Sequence, residues 1–245
     1  MGKLIYIGLK SLLVFGLGIF IFTFALFLRN TFVSRWPDNT LPSQRRLPYE
    51  EVNLLSKDKL PLKGWLIFKN SQSPTVILCH GLGTNKSDLL SIAEFIYEAG
   101  FNVFLFDFRA HGESKGRIRS FGYLEQKDLE GAVDYLSGLP GLENKNLGIF
   151  GLSLGAATSI VVAARDPRIK AVVSDSAYSN LYLSMVHHAK MLYSLPRFPF
   201  NVFLRAAYFL RFGCDPKMIS PCDAVSRISP RPIFIIGGEK DKTDS

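Results

Sequence analysis

From Ser11 to Leu28 the chain reads SLLVFGLGIFIFTFALFL, eighteen residues without a charge, bounded by Lys10 and Arg29. As a helix this run spans ~27 Å, close to the thickness of a bilayer's hydrocarbon core. It is apolar on every face, which argues against an amphipathic helix packed on a soluble core. Its length, and the lack of a small-x-small cleavage site after it, favour an uncleaved single-pass anchor over a secretory signal. Lys3 and Lys10 precede it while Arg29, Arg35, Arg45 and Arg46 follow, so flanking charge leaves the orientation open. Residues 1–33 are therefore expected to form a membrane anchor. Residues 34–47, rich in proline and polar side chains, are expected to be a linker.

Beyond residue 47 the periodicity changes. Tyr49–Ser56 and Leu62–Phe68 predict two strands joined by the polar turn SKDK. Thr75–Cys79 (TVILC) is a short continuous apolar run, the signature of a strand buried on both faces. Asn85–Ala99 carries helical spacing through Leu89, Leu90, Ala93, Phe95 and Ile96, with Gly100 as its stop. A strand at Asn102–Phe106, a helix at about 121–136, a strand at Leu147–Phe150 and an Ala-rich helix at Ser153–Arg165 follow. Strands at Ala171–Ser174 and Ile233–Ile236 complete the series. Strands alternating with helices predict an α/β domain over 48–245, with a mostly parallel sheet covered by helices on both faces. In such sheets chemistry gathers at the carboxyl ends of the strands. The segments found there are HGLGTNK, DFRAHGES, GLSLGAA, DSAY and GGEKDKTD, the most polar and glycine-rich of the chain.

Composition narrows the function. With 47% hydrophobic and 20% charged residues the chain is neither disordered nor fibrous. A net charge of +8 on a globular composition does not imply nucleic acid, and none is expected as a partner. Three cysteines, Cys79, Cys214 and Cys222, cannot build a disulfide framework; Cys214 and Cys222 could pair only in an oxidising space. No His/Cys/Asp cluster has metal-ligand spacing, so no metal is expected. The histidines are His80, His111, His187 and His188.

Gly151-Leu152-Ser153-Leu154-Gly155 has the form G-x-S-x-G and lies between a strand and a helix. That context needs glycines where a Cβ would clash, lifts the Ser153 hydroxyl above the sheet and sets a helix N-terminus behind it. Ser153 is the candidate nucleophile. Acyl transfer also requires fixed N–H donors for the oxyanion. The candidates are the amides of Leu154, just after the serine, and Leu82 in His80-Gly81-Leu82-Gly83. His80 could act as a base, but its expected role is to tie that loop by hydrogen bonds.

HGLGTNK, DFRAHGES, GLSLG and GGEKD, in this order after successive strands, resemble the α/β-hydrolase superfamily, most closely its serine aminopeptidase-like and monoacylglycerol-lipase-like branch with membrane-anchored members. The resemblance covers about residues 48–245. It implies an eight-stranded, mostly parallel sheet, a Ser–Asp–His triad, no cofactor, and a structural loop at Asp107, Arg109, His111 and Gly112. The acid it implies is Asp241, after strand Ile233–Ile236; Asp175 is the alternative. No histidine follows Asp241, so the chain is expected to stop before the triad base, with the last helix and strand missing. His187 and His188 could lie near Ser153, though a base must come within hydrogen-bond reach of the hydroxyl.

Residues 176–230 are too long for a plain crossover and are expected to form a helical cap. Between Met185 and Arg231 it holds seven basic residues against Asp215 and Asp223, interleaved with aromatic and aliphatic side chains. Beside an anchor this suits an acyl-chain substrate or anionic lipid headgroups; a cap that merely packs on the sheet is the other reading. The expected protein is a membrane-anchored serine hydrolase cleaving an ester, thioester or amide of an apolar acyl group through an acyl-enzyme at Ser153. The alternative is an inactive hydrolase-fold binding protein. Oligomeric state is not readable from the chain.

Overall fold

The computed structural model describes residues 2–32, 37 and 40–238. A sheet is built from β1 (Glu50–Leu55), β2 (Pro61–Ile67), β3 (Thr75–Cys79), β4 (Asn102–Phe106), β5 (Leu147–Leu152), β6 (Ile169–Asp175) and β7 (Ile233–Ile236). Their order is β1-β2-β4-β3-β5-β6-β7. β2 is antiparallel to both β1 and β4, whereas β4, β3, β5, β6 and β7 run parallel. Every residue of β4 is buried. Successive side chains serve opposite faces, as strand geometry dictates. Ile77, Phe104 and Phe106 join α3 (Glu125–Gly138) and α4 (Leu154–Ala163) through Leu129, Ala132 and Ile160. Leu78, Val103 and Leu105 join α2 (Leu90–Glu98) through Leu90 and Ala93.

Several element ends shift by one or two residues from the sequence reading, and two helix starts shift further. The helix expected from Asn85 begins with a 3-10 turn at Lys86–Leu89, because the Asn85 side chain accepts the N–H of Ser87 and tightens the entry. The helix expected at 121 starts at Glu125. Its buried carboxylate accepts the N–H groups of Ser120 and Gly122 and the Ser120 hydroxyl, drawing residues 120–122 into a loop.

The insert divides in two. α5 (Leu181–Tyr193) and α6 (Arg197–Phe212) form the cap proper. α7 (Pro221–Ala224) and the turn Val225–Ile228 instead send Ala224 and Ile228 into the main core. β7 forms the sheet's edge among the described residues, with Phe234 64% and Ile235 57% exposed.

Helix α1 (Gly2–Thr31) is long and apolar enough over Ile5–Thr31 to cross a membrane, with a mean hydropathy of 2.5. Its first turns are bare, whereas its last turns pack against α6 and bury Phe27 beside Tyr208. Of the expected linker, residues 34–36, 38 and 39 lie outside the described residues. Its end is not free of the body: Leu47 is buried with Trp65, and Arg45 pairs with Glu94 at 2.8 Å.

Candidate active site

Between β5 and α4 the chain turns on one residue, Ser153, at φ 51° and ψ −108°. Positive φ is costly for a residue with a side chain and persists only where surrounding structure enforces it. Here the Ser153 N–H donates to the carbonyl of Asp175 at 2.8 Å, and its own carbonyl accepts from Ala157 at 3.0 Å. The flanking glycines make the bend possible. A Cβ on Gly151 would lie 2.6 Å from the backbone of Gly155 and Ala156, and one on Gly155 would lie 2.1 Å from the carbonyl oxygen of Cys79. The Ser153 side chain is left exposed at the carboxyl end of the sheet.

The loop after β3 runs directly alongside. A methyl group on Gly81 would sit 3.7 Å from Ser153 Cβ. Two imidazoles hold this loop. His80, fully buried, donates from Nδ1 to the Gly81 carbonyl at 2.7 Å and accepts the Phe108 N–H at Nε2 at 3.0 Å. His111 donates from Nδ1 to the Arg109 carbonyl at 2.8 Å and accepts the Gly83 N–H at Nε2 at 3.3 Å. Both rings are neutral: burial, aided by His111, pulls the His80 pKa down to about 3, and burial also lowers that of His111. Neutrality is required, because a protonated ring has no acceptor nitrogen. His80 thus ties the loop, and Leu82 is presented beside Ser153 with 40% exposure. The Leu154 N–H opens α4, where helix geometry leaves the first donors unpaired.

The segment DFRAHGES is a structural knot. Asp107 accepts from the Lys86 backbone and ammonium, both at 2.8 Å, and from the Glu113 N–H at 2.9 Å. Gly112 sits at φ +43°, where a Cβ would collide with the Asp107 carboxylate. Arg109 bridges Asp128 and Asp58. These residues stiffen the platform on which the loop rests.

Ser153 opens onto a cavity of about 380 Å³. Leu82 and Leu154 line it, with Tyr178, Met185, His188 and Leu204 from the cap side. Thr23, Leu26, Phe27 and Asn30 of α1 line it as well, a contribution that hydropathy alone does not reveal. Most of the lining is apolar, as small-molecule sites are. His188 donates from Nδ1 to the Ser184 carbonyl at 2.8 Å, leaving Nε2 as its acceptor. His187 is not part of the lining, and no imidazole among the described residues hydrogen-bonds to Ser153. The Asp175 carboxylate accepts the Ser176 hydroxyl at 2.8 Å and lies outside the cavity lining. Asp241 lies outside the described residues. The described residues hold no group of three His, Cys, Asp or Glu able to bind a metal ion.

A strained serine between a parallel strand and a helix, beside a glycine loop and under a helical cap, defines a hydrolase-type α/β domain. Residues 74–218 match the family described as alpha/beta hydrolase fold, and the chain belongs to that family. YqkD of Bacillus subtilis, described as uncharacterized, is 27% identical over 187 residues, covering 74% of this chain and 59% of YqkD. Thiohydrolase aneE of Aspergillus aculeatus is 33% identical over 129 residues, covering 51% of this chain and 41% of its own length. The chain thus spans about half the length of these curated relatives. Among solved structures, the esterase Pf2001 of Pyrococcus furiosus superposes with a TM-score of 0.72 at 27% identity, covering 88% of this chain and 79% of that one.

Proposed function

We propose that this protein is a membrane-anchored serine hydrolase of the serine aminopeptidase-like and monoacylglycerol-lipase-like branch, acting on an ester, thioester or amide of an apolar acyl group. The observation that carries this reading is the Ser153 elbow, at φ 51°, set beside Gly81 on the wall of an apolar cavity. A relative named thiohydrolase and a structural neighbour named esterase support acyl transfer. The apolar helix Ile5–Thr31 supports the anchor.

In the proposed reaction Ser153 Oγ attacks the acyl carbonyl carbon while a general base takes its proton. The carbonyl electron pair moves onto oxygen, held by the N–H groups of Leu82 and Leu154. Collapse of the tetrahedral species expels the alcohol, thiol or amine, which takes the proton. Water then releases the acid from the acyl-enzyme by the same route. Asp241 is the proposed acid of the triad.

The second reading, a binding protein without turnover, is favoured by one observation: no described imidazole hydrogen-bonds to Ser153. A p-nitrophenyl acyl ester separates the two. A nitrophenol burst from the full chain that is lost in Ser153→Ala supports the hydrolase. Saturable ester binding with no nitrophenol release supports the binding protein.

A further inference from the structure

We infer that helix α1 is a wall of the substrate site as well as a tether, and that the substrate is an acyl lipid whose chain enters from the bilayer between α1 and α6. The inference rests on the hydrolase reading of Ser153. Three observations carry it.

First, the last turns of α1 are built into the hydrolase body. Arg119 caps the helix, donating its N–H to the Thr31 carbonyl at 3.0 Å and its Nε to the Asn30 carbonyl at 2.8 Å. These are carbonyls that a helix end leaves unpaired, and a cation there complements the helix dipole. The Tyr193 hydroxyl of α5 donates to Asn30 Oδ1 at 3.0 Å. Phe27 is 4% exposed, with its ring centroid 5.9 Å from Tyr208 and 6.2 Å from Phe212. Leu26, Phe27 and Asn30 line the same cavity as Ser153.

Second, the outward face of the preceding turns is bare. Leu12, Leu13 and Ile21 are 68%, 73% and 58% exposed. The charge-free run from Ser11 to Leu28 is ~27 Å long as a helix, which matches a hydrocarbon core. Leu26, Phe27 and Asn30 lie at the end of that run, so the cavity they line stands at the membrane surface.

Third, a groove joins the two. Val14, Phe15, Gly18, Ile19 and Phe22 of α1 form it with Phe200 of α6, and Phe200 also lines the Ser153 cavity. Nothing lies within 4 Å of where a Gly18 side chain would start. The lining of the groove is almost wholly apolar, so its occupant is a hydrocarbon chain and not a polar leaving group.

The test uses the full chain in lipid nanodiscs, with ethyl and hexadecyl fluorophosphonates as serine probes. Wild type should react faster with the hexadecyl probe, by roughly tenfold or more if its methylenes are buried. Leu26→Trp, which fills the cavity, and Gly18→Leu, which blocks the groove, should each collapse that ratio toward one. Leu13→Trp, on the bare face, should leave it unchanged. A diazirine fatty acid supplies a readout independent of the nucleophile: photocapture at α1 and α5 should persist in Ser153→Ala and fall in Leu26→Trp. Equal probe ratios in all variants overturn the inference while leaving the serine assignment standing. Capture that depends on Leu26, with no phosphonylation of Ser153 by either probe, sustains the inference and sinks the serine assignment.

Discussion

A Cβ on Gly155 would lie 2.1 Å from the carbonyl oxygen of Cys79, so the helix behind Ser153 rests against the last residue of β3. This contact closes the elbow: it brings the N-terminus of α4 under the carboxyl end of the sheet and fixes the distance between Ser153 and the 80–83 loop. Gly155→Ala should therefore destabilise the domain by about 3 kcal/mol or more, since backbone must move to admit the methyl group. Thermal unfolding measures it. A melting temperature equal to that of wild type would show that α4 does not bear on β3 in this way.

The two buried imidazoles give stability a pH dependence of known sign. The folded-state pKa of His80, about 3, lies below the unfolded value of about 6.5, so the unfolded chain binds the extra proton first. The stabilisation is complete above pH ~6.5 and is lost as pH falls toward ~3, with a slope of up to about 1.4 kcal/mol per pH unit for one proton. His80→Gln, which keeps an acceptor without the titration, should flatten that limb in denaturant titrations run between these pH values. A wild-type stability flat across the window would mean that the ring is not held neutral.

The cap's charge has a narrower role than its composition implies. Arg231 donates to the carbonyls of Ala163, Asp166 and Ile169 and so braces α4 and β6, while Arg205 is paired with Asp215. Lys190, Arg197 and Lys217 remain exposed, among apolar side chains such as Phe198 at 76% and Met218 at 79%. Each basic residue at an anionic surface is worth about 1 kcal/mol. Changing all three to Gln should cut the preference for anionic over neutral vesicles by roughly tenfold or more at low salt, and the difference should vanish at high salt. An unaltered preference would leave these side chains merely solvated.

Arg119 offers a separate check on the docking of α1. Arg119→Met removes the Nε donor to the Asn30 carbonyl while keeping the backbone N–H that bonds Thr31 and much of the side chain's bulk. Protease nicking between α1 and the body should become faster, with a loss of about 1–2 kcal/mol in stability. Identical nicking rates in the two proteins would place α1 free of the domain.

Local signals and long-range packing were not equally legible in the chain. The runs TVILC and NVFLF mark β3 and β4 to the residue, because strands buried on both faces are continuous apolar segments between polar ones; IFII marks β7 equally well although it is exposed at the edge. The elbow was legible for a similar reason: Gly151 and Gly155 flag backbone contacts that a side chain would block. The start of α3 was not, since it depends on how the Glu125 carboxylate gathers Ser120 and Gly122. The part played by α1 in the cavity was hidden altogether. Hydropathy says that Leu26 and Phe27 are apolar, not that Arg119, distant in sequence, would draw them onto the cap.

The most direct measurement is mass-spectrometric mapping of a fluorophosphonate on the full chain. The account expects a single adduct on the peptide carrying Ser153, formed far faster than on any other serine and absent in Ser153→Ala. An adduct spread over surface serines, or one that survives the Ser153→Ala change, would contradict it.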